Sequence, residues 1–214
     1  MYYEYCNYNT EYVLDIEEEI RLVFNLIDQG LDGFCTDIHQ IRSIARFIPE
    51  GFVLAGCVDY PLGKSDTKIR QHQAINTLRS GANAIDLVCN RQYLMNNDWV
   101  NLRNDVSSIK EICKNYNATL RIMINWSDDR DGNVIVNLAK LLHSYGMDIF
   151  IPHPGYYHDD FIDNLLISHI TQAETKIPTI CNGYLHLDKH KDQFHKADIF
   201  GLRVYFDNYK MVYK

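Results

Sequence analysis

The sequence predicts an α/β protein built on a parallel sheet, either a closed (β/α)8 barrel or an open doubly wound sheet. Three observations carry this. Short apolar runs alternate with longer stretches of helical periodicity, the pattern of repeated strand–helix units. Most of the short runs are apolar almost throughout, as parallel strands covered on both faces require. Counting Tyr2 to Cys6 ahead of a first helix gives eight strands.

The elements follow in order. Tyr2 to Cys6 reads as strand and Ile16 to Gln29 as helix. Leu31 to Thr36 is strand and Ile38 to Ile48 helix. Phe52 to Asp59 is strand, and Asp66, a plausible N-cap, opens a helix that runs to Ser80. Ala84 to Cys89 is apolar except for Asp86. Asn97 to Tyr116 is a long helix with Trp99, Leu102, Val106, Ile109 and Cys113 at three-to-four spacing. Leu120 to Asn125 is strand, Gly132 to Tyr145 helix, Ile149 to Pro152 strand and Asp160 to Thr171 helix. Pro178 to Cys181 and Ile199 to Val204 complete the strands.

At 214 residues with no linker or low-complexity tract, the chain reads as a single domain over 1–214. Hydrophobic residues make up 46% and charged residues 23%, an ordinary globular balance. The net charge of −7, with lysines and arginines scattered, argues against a nucleic-acid or anionic-membrane surface. The six cysteines form no C-x-x-C pair, and four fall in apolar strands, so reduced thiols in a core are expected. No leader pattern or membrane-length apolar run is present, and a cytoplasmic setting is expected.

The middle of the chain decides between barrel and open sheet. Tyr60-Pro61-Leu62-Gly63, Asp66-Thr67-Lys68 and the run Ser80-Gly81-Ala82-Asn83-Ala84-Ile85-Asp86-Leu87-Val88-Cys89-Asn90 resemble the deoxyribose-phosphate aldolase family. The resemblance is strongest over 52–125 and extends more weakly over roughly 16–205. It implies a single (β/α)8 TIM barrel, working at the C-terminal ends of its strands. It also implies a shortened C-terminus, since only 206–214 follow the last strand.

In that family a strand lysine forms a Schiff base with the aldehyde donor, a second lysine tunes it, and an aspartate moves protons. By the resemblance, Asp86 matches the aspartate. Ile151 stands at the first lysine position and Thr179 at the second, and neither strand contains a lysine. Isoleucine has no nucleophile, so Schiff-base catalysis is not expected. Gly155, Gly183 and Gly201 match glycines of the family's phosphate loops. Arg203 and Val204 replace a serine pair there, and Arg203 could pair with a phosphate.

Other polar groups stand at strand ends. Asp59 is where the family has glycine, Asn125 closes its strand, and His153 lies two residues past Ile151. With Asp86 and Arg203 they form a candidate acid–base pocket. His186 and His190 share a helical spacing, yet their segment reads as a solvated surface helix, so no metal and no cofactor are expected.

Three functions compete. One is a non-aldolase homologue or pseudo-enzyme that binds a sugar-phosphate-like or nucleoside-like ligand or a protein partner. The second is an isomerase, lyase or hydrolase using Asp86 and His153. The third is a class I aldolase with a relocated lysine. The partners expected are a small anionic or sugar-like molecule, no nucleic acid and no membrane; an oligomer is left open. Tyrosines clustered near both ends, among them Tyr2, Tyr3 and Tyr5, offer contact surface for a protein or pack against the barrel ends.

Overall fold

The computed structural model describes residues 1–7, 14–126, 131–156, 160–183 and 196–205. Among these residues eight strands and seven α-helices follow in order: β1 (Tyr2–Cys6), α1 (Ile16–Asp28), β2 (Gly33–Thr36), α2 (Ile38–Ile44), β3 (Val53–Val58), α3 (Thr67–Arg79), β4 (Ala84–Val88), α4 (Arg91–Met95), α5 (Trp99–Asn115), β5 (Thr119–Met123), α6 (Gly132–Ser144), β6 (Ile149–Ile151), α7 (Phe161–Thr175), β7 (Ile180–Asn182) and β8 (Gly201–Tyr205). A turn of 3-10 helix, Ala45–Phe47, ends α2 early.

The strands are parallel and run β6-β5-β4-β3-β2-β1-β8-β7, each beside its sequence neighbour except at β1–β8, where the first and last strands pair. The two outer strands, β6 and β7, meet at a single bridge, Phe150 to Thr179. The sheet is thereby curled into a nearly closed TIM barrel, and the open doubly wound alternative is set aside.

Among the described residues every α-helix begins at an aspartate or asparagine whose side chain accepts from backbone N–H groups of the first turn: Asp15, Asp37, Asp66, Asn90, Asp98, Asp131 and Asp160. Each such cap stabilises its helix by about 1 kcal/mol. Asp15 and Glu18 form a full capping box. Alternate strand residues then face the helices or the barrel interior. The helix-facing set, including Tyr5, Phe34, Leu54, Ile85, Leu87, Leu120, Ile122 and Phe150, joins the helices in one large core. The interior set makes two smaller apolar groups: Cys6, Cys35, Ala55 and Ala84, and then Val88, Met123, Ile151 and Ile180. All six cysteines are free thiols, five of them buried.

The expected elements are found with shifted ends, except that α4 was not anticipated. Its five residues follow the Asn90 cap and are too few to show a period. The shortened C-terminus, the surface helix bearing His186, His190 and His195, and the outlying tyrosines Tyr8, Tyr12, Tyr209 and Tyr213 lie outside the described residues.

Candidate functional site

The interior of the barrel holds four charges. Glu4 of β1, Asp86 of β4, Arg121 of β5 and Arg203 of β8 all point inward and are 0–1% exposed. They alternate in a closed ring. Arg121 donates from Nε to Asp86 Oδ1 (2.5 Å) and from Nη1 to Glu4 Oε2 (2.6 Å). Arg203 donates from Nε to Glu4 Oε1 (2.5 Å) and from Nη2 to Asp86 Oδ2 (2.7 Å). All four carboxylate oxygens are engaged, and two acids balance two bases.

Buried charges persist only when paired in this way. The remaining donors also find partners: Arg121 Nη2 meets Cys35 Sγ at 3.0 Å, and Arg203 Nη1 meets Met123 Sδ at 3.6 Å. Tyr2 donates to Glu4 Oε2 at 2.6 Å. Burial alone would raise the Glu4 carboxyl, but Arg121, Arg203 and the hydrogen bonds prevail and hold it at about 2. Burial pushes the Cys35 thiol well up, so it is no ready nucleophile.

One row further toward the strand C-termini the interior turns apolar. Val88, Met123 and Ile151 are register partners of one another, as Asp86, Arg121 and Ile149 are in the row below. Ile151 and Ile180 are both fully buried and pack with Val88 and Met123. Thr179 lies on the other face of its strand. It is the bridge partner of Phe150, which faces the helices, and its hydroxyl donates to Ile177 O at 3.0 Å. The β7 side chain beside Ile151 inside the barrel is therefore Ile180.

The other candidate residues occupy separate settings. Asp59 ends β3 with φ 60° and ties the following loop to α3: it accepts from Ser65 N and Oγ (each 2.8 Å) and from Arg70 Nη1 (3.0 Å). Arg70, fully buried, also reaches Asp105 Oδ2 at 3.0 Å and Val88 O at 2.7 Å. His153 is 1% exposed; its Nδ1 accepts from Gly155 N at 3.0 Å, and its carbonyl accepts from Asn182 Nδ2 at 2.8 Å. It lies two residues beyond Ile151, on the mouth side of the apolar row, whereas Asp86 lies below that row. Tyr60 and Tyr156 meet edge-on across this region, with ring centroids 6.4 Å apart.

Gly155 and Gly183 carry positive φ at the strand ends. A Cβ on Gly183 would stand 2.7 Å from Asn164 Nδ2. Gly201 instead begins β8, at the opposite end of the barrel, where a Cβ would stand 2.8 Å from Tyr2 O. Arg203 sits in the ring and not at a strand-end loop. The structure thus brings Asp86 and Arg203 together but sets Asp59, His153 and Gly201 apart from them.

At the C-terminal ends of β3 to β6, Pro61, Leu62, Val88, Ile124 and Pro154 line a space of about 20 Å³, room for one water. Asn125 lines this space and also a groove of about 640 Å³ beside it, between α4, α5 and α6. Among the described residues no group of three or more metal-ligating side chains occurs, and no helix is long and apolar enough to cross a membrane.

Glu4 and Arg121 are the ring members that sequence reasoning missed. The signal was there, because each is a lone charge at an inward position of an otherwise apolar strand, as Asp86 and Arg203 are.

Eight parallel strands in single-step order around a filled interior define a TIM barrel. The chain belongs to the DeoC/LacD aldolase family, whose sequence pattern it matches over residues 7–158. It is 22% identical over 111 residues to a deoxyribose-phosphate aldolase of Thermococcus kodakarensis, covering 50% of each chain. It is 37% identical over 96 residues to that of Thermotoga maritima, covering 44% of this chain and 38% of the relative. The chain spans about half the length of the curated relatives it matches. In three dimensions it resembles deoxyribose phosphate aldolase from Aeropyrum pernix, with a TM-score of 0.79, 16% identity, and coverage of 94% and 84%. It also resembles QR15, an aldolase, with a TM-score of 0.77, 14% identity, and coverage of 95% and 88%. At these identities the structural likenesses establish the fold.

Proposed function

We propose that this chain is a non-aldolase homologue within its family, a barrel that binds a small anionic or sugar-like ligand without Schiff-base turnover. The observation that carries the proposal is the apolar row of Val88, Met123, Ile151 and Ile180, where the family's chemistry requires an amine. A donor aldehyde has no primary amine to meet there.

Two further features support it. Asp86, the counterpart of the family's proton-moving aspartate, has both oxygens bound by arginines, so its lone pairs are committed. Among the described residues, the pocket lined by Pro61, Leu62, Val88, Ile124 and Pro154 at the strand C-termini is small, about 20 Å³. The same features weigh against acid–base catalysis through Asp86 and His153, which stand on opposite sides of the apolar row. Free thiols throughout fit a reducing compartment, and a cytoplasmic location is part of the proposal.

The test is reductive trapping. The protein is incubated with saturating deoxyribose 5-phosphate, then with acetaldehyde, each under borohydride, and its intact mass is measured. No adduct and no retro-aldol turnover are expected. A stoichiometric adduct mapped to any lysine would overturn the proposal in favour of a relocated Schiff base.

A further inference from the structure

We propose that Glu19 is a proton-operated latch between α1 and α2. Protonated, it lets the two helix starts pack together; ionised, it repels the start of α2 and loosens the rim of the barrel where β1 and β2 end. The inference does not rest on the binding proposal, and either can fail without the other.

The latch is set by where the acid stands on its helix. Glu17, Glu18 and Glu19 share the first turn of α1, and Glu17 and Glu18 are exposed. Glu19 is 2% exposed and lies on the same face as Leu22, Val23 and Leu26. The buried face of α1 therefore begins with an acid. A carboxylate there needs a cation or several donors, and among the described residues it has neither. Glu18 is bound in its capping box, accepting from Asp15 N at 3.0 Å, but Glu19 Oε1 is buried and meets no donor.

The charges that act on Glu19 are Asp37, the N-cap of α2, and Asp15, the N-cap of α1. Both are acids. His39 and Arg42 of α2 are exposed and do not offset them. β2 carries no charge, and Glu4 of β1 is enclosed in the interior ring. A neutral carboxyl tolerates such a place better than an ionised one. Burial, then Asp37 and Asp15, accordingly raises it from 4.5 to about 7.

α2 carries the effect to the strand ends. Asp37 Oδ1 accepts from His39 N at 2.7 Å and Gln40 N at 3.2 Å, so a charge beside Asp37 bears on the first turn of α2. Gln40 Oε1 in turn accepts from Asn7 Nδ2, just past β1, at 2.8 Å, and from the Thr36 hydroxyl at the end of β2. Those are C-terminal strand ends, the face on which TIM barrels carry their sites.

The test follows the Glu19 carboxyl carbon of the full chain by NMR from about pH 4 to 8.5, with amide exchange read in parallel. Glu19 should titrate near 7. Across that step the protection of Gln40 and Ile41, corrected for intrinsic exchange, should fall about fivefold. Glu19→Gln should abolish the fall. Asp37→Asn keeps an equally good cap and removes one like charge, so Glu19 should titrate about 0.3 unit lower or more. The proposal is overturned if Glu19 titrates near 4.5, if Gln40 and Ile41 keep their protection while it titrates, if Glu19→Gln shows the same fall, or if Asp37→Asn leaves the midpoint in place.

Discussion

Replacing Arg121 by methionine removes one of the two cations from the buried ring while nearly keeping its bulk. It breaks the contacts to Asp86 Oδ1 (2.5 Å), Glu4 Oε2 (2.6 Å) and Cys35 Sγ (3.0 Å). The ring is left with two carboxylates against one guanidinium, at sites 0–1% exposed. Removing one partner of a buried charge pair costs about 3–5 kcal/mol. In a chain of this size each kcal/mol moves the midpoint by about 2–4 °C, so a fall of about 6–20 °C is expected.

A second substitution isolates the cause. Adding Asp86→Leu restores neutrality and leaves the Glu4–Arg203 pair, so Arg121→Met/Asp86→Leu should recover about 1–2 kcal/mol over the single variant. Acid supplies an independent check. Glu4 is held at about 2, below its unfolded value near 4.5. Its contribution is therefore present above pH ~4.5 and is lost as pH falls toward 2, in total about 3 kcal/mol. Glu4→Gln should remove that part of the acid slope. Urea unfolding measured from pH 2.5 to 7 reads all three. If Arg121→Met costs less than about 1 kcal/mol, or if the double variant is simply additive, the ring is not the coupled unit described.

Three other outcomes are expected. Glu19 of α1 is buried, and burial followed by the charges of Asp37 and Asp15 raises its carboxyl to about 7. Its stabilising share is thus full below pH ~4.5 and is lost as pH rises through 7; Glu19→Gln should gain about 1 kcal/mol at pH 8 and nothing at pH 4, discounted because both neighbours are exposed. Asp59→Ala should cost about 2–4 kcal/mol, since buried Arg70 loses a partner, and Asp59→Gly about 1 kcal/mol less, because φ is 60° there; equal losses in thermal melts would refute the backbone part. Ile151→Lys should destabilise by about 3 kcal/mol or more and still give no borohydride adduct, because the amine enters an apolar row while Asp86 stays clamped; an adduct on an unshifted melt would contradict this.

The fold was legible because its signals are local and repeated. Apolar runs gave the strands, and Asp66 was legible as the cap of its helix. The sequence block from Tyr60 to Asn90 chose barrel over open sheet. The boundaries moved where tertiary contacts decide them: Asp59 falls just outside β3 because its carboxylate serves the loop to α3. The site was legible in its residues and not in its pairings. Asp86 and Arg203 stood out, but that they share a ring with Glu4 and Arg121 depends on contacts up to 199 positions apart. Thr179 shows the same limit on a small scale. A glycine anchor fixes position along the chain, yet side-chain direction depends on strand parity, and parity turned Ile180 inward instead.

The seam between β6 and β7 bears on how this molecule breathes. Each strand has three residues, and one bridge joins them, whereas the ring staples β1, β4, β5 and β8 across the interior. Neither seam strand contributes a member to that staple. Local opening follows the path that breaks fewest buried contacts. Amide protons near Phe150 and Ile180 should therefore exchange ahead of those of β4 and β5, and solvent should first enter the barrel sideways, between two isoleucines, with the charged centre still sealed.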